Sequence, residues 1–194
     1  MGAYTPQNAA TPRQQHLLQM LHELSADRDP VKSIDRYVRA MRRTFGDQAT
    51  VSVSLRGVPA GHYRVMRMLH QEGVAAPGLT DMLHAGDEAP VHSGGFLGAL
   101  IARNDIVVDL DFHLPDDPVL GQQLAPYRSL VAFPVYDLGE ASNWVCYLHT
   151  EPRAFSEEQV ESRILQACLM GGVTSSKRRA HELEQATAGI TREL

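Results

Sequence analysis

Cysteine is scarce: Cys146 and Cys168 are the only two in 194 residues. That excludes a disulfide scaffold and fits a reducing compartment. Long apolar runs are missing as well. The longest, Phe96 to Ala102, has seven residues and contains Gly98, whereas a membrane-spanning helix needs about 20. The first fifteen residues hold no apolar stretch that would serve as a signal-peptide core, so a cytoplasmic location is expected. There is no G-x-S-x-G, no Walker loop and no kinase signature. The nine histidines form neither H-x-x-x-H nor H-x-x-E-H and are read as surface or satisfied core residues. A net charge of −5 marks no nucleic-acid or membrane partner. What is present is an average globular composition, 43% hydrophobic and 21% charged, in a chain long enough for one domain and an extension.

Residues 1–12 are small, polar and twice broken by proline, and read as a flexible leader. Leu17, Leu18, Leu21 and Leu24 recur at helical spacing from Arg13 onward. Asp29-Pro30 starts a second helix whose apolar face is Ile34, Tyr37, Val38, Met41 and Phe45, with Gly46 ending it. The period then drops to two. Val51, Val53 and Leu55 alternate with Ser52 and Ser54, the pattern of a half-buried strand with serines to solvent. Arg56 to Gly61 supplies a turn, and His62 to His70 returns with Tyr63, Val65 and Leu69 on one face. Residues 71–88 read as an irregular connection with one helical turn near Leu79 to His84. Ile106 to Asp109 is a short strand. Ser129 to Tyr136 and Asn143 to Thr150 are strands joined by a turn over Asp137 to Ser142. Pro134 lies inside the former and must sit at an edge, a bulge or solvent, because it has no amide proton to donate. Ser156-Glu-Glu caps a last helix that runs to Leu194. The charge is uneven: residues 28–67 hold nine Lys/Arg against three acids, and residues 80–120 hold eight acids against Arg103 alone. Both runs read as solvated surface.

Gly94-Gly-Phe-Leu-Gly98, Ile106-Val-Val-Asp109, Tyr127-Arg-Ser-Leu-Val-Ala-Phe-Pro-Val135 and Phe155-Ser-Glu-Glu158 follow in one order. Together they resemble the pattern of a GAF domain over residues 13–178. The resemblance implies an α+β fold: a six-stranded antiparallel sheet with helices on one face, and loops over a small-molecule pocket on the other. It also implies a sensory or dimerising module that precedes an output domain, with residues 179–194 as the helical linker. The pattern stops at Leu194 in mid-repeat, as expected of a segment leading onward.

Loops 71–105 and 110–128, rich in Gly and Pro, are expected to roof the sheet and shape the pocket. Phe96, Leu97, Asp109, Asp111, Phe112, His113, Tyr127, Ser129, Phe133 and Trp144 are the candidate lining. No ligand or cofactor is named by these residues. The Asn-Lys and Asp-Glu pairs of cyclic-nucleotide-binding relatives are replaced by His149-Thr150 and Gln159-Val160. A bilin-attaching cysteine is expected in a loop, yet Cys146 falls in a strand and Cys168 in a helix. A thiol reductase needs a low-pKa thiolate with a second thiol within reach, which two cysteines in regular elements do not supply. The alternative is a metal-dependent enzyme using Asp109, Asp111, His113 and Asp116, although their spacing fits neither an EF-hand nor a zinc motif. On the last helix, Leu169, Val173, Ser176, Ala180, Leu183, Thr187, Ile190 and Leu194 repeat in steps of four and three, the seam of a parallel homodimer.

Overall fold

The computed structural model describes residues 11–26, 29, 32–34, 36–39, 46–71, 79–84 and 88–192. Met41, Phe45, Pro30 and Leu194 of the reading above lie outside them. In chain order the elements are α1 (Pro12–Ala26), β1 (Ala49–Ser54), β2 (His62–His70), β3 (Met82–Leu83), β4 (Val91–Ser93), α2 (Gly95–Arg103), β5 (Val107–Asp109), β6 (Ser129–Asp137), β7 (Glu140–His149) and α3 (Glu157–Arg192). Residues 32–34 and 36–39 are helical too, and Asp29 caps them: its carboxylate accepts from Lys32 N and its carbonyl from Ser33 N.

Seven strands form one sheet in the order β3-β2-β1-β7-β6-β5, with every pairing antiparallel. β4 also pairs with β2, on the same edge as β3 and nearer that strand's start, so the seven strands fill the six expected positions. The chain is α+β, as the resemblance implies. α1, the helical residues 32–34 and 36–39, and α3 cover one face, with Met20, Leu24, Tyr37, Val38 and Met170 packed with Leu69 of the sheet, and Val160 and Ala167 with Val131, Phe133, Val135 and Tyr147. The other face is covered by α2 and the irregular segment 110–128, with Leu97, Leu100, Phe112, Leu120, Leu124 and Tyr127 set on Val51, Val53, Trp144 and Cys146.

Four expectations are corrected. The region read as a loop over 71–105 contains the short strands β3 and β4 as well as α2. Its first turn has no side-chain cap of its own; the amide of Phe96 is instead satisfied at 2.7 Å by the carboxylate of Asp117, 21 residues on. Gly95 holds φ +64, and a Cβ there would stand 3.0 Å from that carboxylate, so only glycine suits this start. The helical turn expected near Leu79 to His84 is the strand β3, held by pairing with Arg67 and Met68. The hairpin turn is two residues rather than six, because Leu138 (φ 53) and Gly139 (φ 85) both adopt the left-handed conformation a tight hairpin needs. Leu69 faces the helices, opposite to Tyr63 and Val65. A bulge causes this. Ser52 pairs with Arg67 but Val53 with Val65, so Met66 is the extra residue and the alternation reverses past it.

Pro134 meets its expected constraint. Leu55 N donates to Ser142 O, so the even-numbered residues of β7 bond toward β1 and the odd-numbered ones toward β6. Opposite Trp144, Pro134 therefore turns its nitrogen to the outer edge, where β5 pairs only as far as Ala132. Ser156 caps α3 through a reciprocal box with Gln159.

Candidate functional site

The loop face gathers several of the expected pocket residues into packed core. Leu97, Phe112, Tyr127 and Trp144 are all buried together, and the Phe96 ring packs on Phe112 at 5.5 Å between centroids. Two polar atoms mark this face. His70 Nδ1 lies 2.6 Å from Tyr127 Oη, and Trp144 Nε1 is buried without a hydrogen-bond partner among the described residues. Ser129 is buried and donates to Glu151 O at 2.6 Å. Phe133 is separated from the rest: it lies on the helix side, against Tyr147.

The acidic segment does not converge. Asp109, Asp111, His113 and Asp116 are exposed. Asp109 accepts from Asp111 N in a local turn, and His113 Nδ1 lies 2.6 Å from a guanidinium nitrogen of Arg128. A cation in that place opposes a second, metallic one. Among the described residues no group of three or more His, Cys, Asp or Glu is placed to hold a metal ion. Asp117, counted above among the acids, is instead an internal anchor, accepting from Phe96 N, Val119 N and Leu120 N.

A cavity of about 440 Å³ opens on the other side of the sheet, between β1, β2 and β7 and the covering helices. Thr50, Ser52 and Ser54 of β1 and Arg64 and Arg67 of β2 bring polar groups to its floor, beside Val53, Met66 and Val145. Ile34, Val38 and Met170 form an apolar wall. The serines were expected to face water; their side of the strand faces the helices, and small polar side chains there leave the space open. The signal was present as a polar stripe, but β-alternation alone does not say what covers it. Tyr37 and Tyr147 also line the space, and burial pushes both phenols up.

At the end where α3 leaves the sheet, a charged cluster adjoins this cavity. Arg56 donates to Asp137 (3.3 Å), Ser142 (3.0 Å) and Ser175 (3.0 Å), Ser175 donates to Asp137 at 2.9 Å, and Arg179 pairs with Asp137 at 3.3 Å. Lys177 reaches the carbonyl of Leu24 and the hydroxyl of Ser33. Beyond this cluster α3 carries exposed residues only through 187, with Leu183 at 69%. Leu169 is 59% exposed, Val173 half-buried and Ala180 exposed. Ile190 lies within the helix.

Both thiols are held protonated. Cys146 is wholly buried on the loop face and burial pushes it up to about 12; Cys168 lies exposed on α3 and partial desolvation raises it too.

No protein-family model and no curated protein matches this chain. Solved structures do match in fold. The GAF domain of a phosphoenolpyruvate-protein phosphotransferase from Coxiella burnetii superposes with a TM-score of 0.62 at 15% identity, covering 88% of this chain and 96% of that one. The phycoerythrobilin-bound GAF domain of a cyanobacterial phytochrome gives 0.60 at 14%, covering 87% and 97%. Free methionine-R-sulfoxide reductase from Neisseria meningitidis, solved with its substrate, gives 0.57 at 15%, covering 91% and 96%.

Proposed function

This chain has the fold of a GAF domain, and on that premise we propose that it is a non-catalytic regulatory module whose paired copies relay a ligand-dependent change along α3 to an output domain. The observation that carries the reading is an exposed apolar and small-residue stripe on α3, with Leu165 and Leu169 alongside the sheet and Ala180 and Leu183 where the helix continues past it. A helix that overhangs its own domain has no internal surface to cover, and a second copy supplies one. A ligand that favours one arrangement of the domain biases the helix pair by its differential affinity for the two states.

Because the same fold serves a reductase, architecture does not decide between regulation and catalysis. The thiols favour regulation. A nucleophilic cysteine is activated by a lowered pKa, whereas Cys146 and Cys168 are both raised. Sedimentation of the whole chain is the test. A dimer is expected, converting to monomer in Leu169→Glu/Leu183→Glu with the melting temperature retained. A monomeric parent chain overturns the reading.

A further inference from the structure

We propose that the helix-side cavity binds a small organic anion with an apolar body. Its volume of about 440 Å³ lies in the range of about 300–1,000 Å³ that small-molecule sites occupy. Among the described residues, Arg56, Arg64, Arg67 and Arg178 line it with one carboxylate, Glu182, and Arg56 is itself paired with Asp137 at the rim. Guanidinium groups match carboxylate, sulfonate and phosphate oxygens in geometry as well as charge.

A second feature is independent of that count. Thr50 is 3% exposed, lines the cavity, and its hydroxyl has no hydrogen-bond partner among the described residues. A buried hydroxyl left unpaired is unfavourable, and a polar occupant relieves it. Ile34, Val38 and Met170 opposite select for an apolar part in the same molecule. The guanidinium of Arg64 is oriented by the carbonyls of Ala89 and Arg56, so part of the cationic wall is already in place. The occupant would touch α3 directly, along Met170, Gly171 and Thr174. As the input to the relay this site rests on the regulatory reading above; binding at the site does not.

The test is fluorescence titration of the whole chain with anilinonaphthalene sulfonate and, separately, with phenylnaphthylamine, which has the same rings without the anion. One sulfonate per chain is expected, bound at least about tenfold tighter than the neutral probe. Arg178→Gln, a partly exposed change, should weaken the sulfonate alone. Ser52→Phe, which fills the space, should abolish binding of both probes. Equal affinity for the two probes, or sulfonate affinity unchanged in Arg178→Gln, overturns the proposal. So does unchanged binding in a folded Ser52→Phe. The Leu169→Glu/Leu183→Glu variant separates the two readings: a monomer that binds as tightly as the parent retains the site, and loss of dimerisation without loss of binding bears only on the relay.

Discussion

At the scale of single residues, the side chains that matter most to this fold are those that satisfy backbone groups far from them in sequence. Asp117 is 5% exposed and accepts from three amides, at 2.7, 2.9 and 2.8 Å. Charge-assisted bonds of this kind exceed neutral ones, and truncation leaves the donors stranded. Asp117→Ala is expected to destabilise by about 3 kcal/mol in urea unfolding, with hydrogen exchange of Phe96 NH accelerated first as α2 loses its cap. The thiols give a second residue-level expectation. Cys146, buried and pushed up to about 12, should resist an aromatic disulfide reagent at mildly alkaline pH until the protein unfolds. Cys168, exposed but raised, should react once per folded chain and more slowly than free cysteine. Two fast thiols in the native protein would restore the case for thiol catalysis.

At the scale of elements, what the sequence disclosed depended on whether the deciding interaction was local. The bounds of β2 and the start of β6 follow from alternation and turn residues within the strand itself, and Ser156 announces α3 because its capping partners are three residues away. α2 stayed hidden because Gly94, Gly95 and Gly98 read as a turn, and its start depends on Asp117. The face of Leu69 was misread because a bulge at Met66 leaves no mark in composition. The cavity was illegible for a related reason: Ser52 and Ser54 look the same whether water or a helix lies opposite.

α3 offers a paired test at neighbouring positions. A Cβ on Gly171 would collide with Val135 of β6, while one on Gly172 meets nothing. Gly172→Ala should therefore stabilise by about 0.5–1 kcal/mol through helix propensity. Gly171→Ala should destabilise by about 1–3 kcal/mol through overpacking. Thermal melts of the two single variants suffice.

At the scale of the whole molecule, the sheet and its long helix are joined by a buried ion pair. Arg163 of α3 donates through Nε (2.9 Å) and a terminal nitrogen (2.5 Å) to one oxygen of Asp47, just before β1, and stacks over Phe155 at 4.9 Å. Breaking such a pair from one side leaves a buried charge uncompensated, so Asp47→Ala should lower stability by about 3–5 kcal/mol. The double variant Asp47→Leu/Arg163→Met should recover most of that loss. A double-mutant cycle from urea curves reads the coupling directly. The architecture itself was readable from an ordered set of weak motifs. Asp47 and Arg163 were not paired in that reading, because 116 residues separate them and neither sits in a recognisable pattern.

Pro134 has a consequence for how copies of this protein meet. Past β5 no described strand pairs with the outer edge of β6, and an unpaired strand edge is an invitation to zipper with a stranger's backbone. With a ring nitrogen in place of an amide at that spot, the zipper lacks a tooth. Fibrous stacking through that edge is discouraged there.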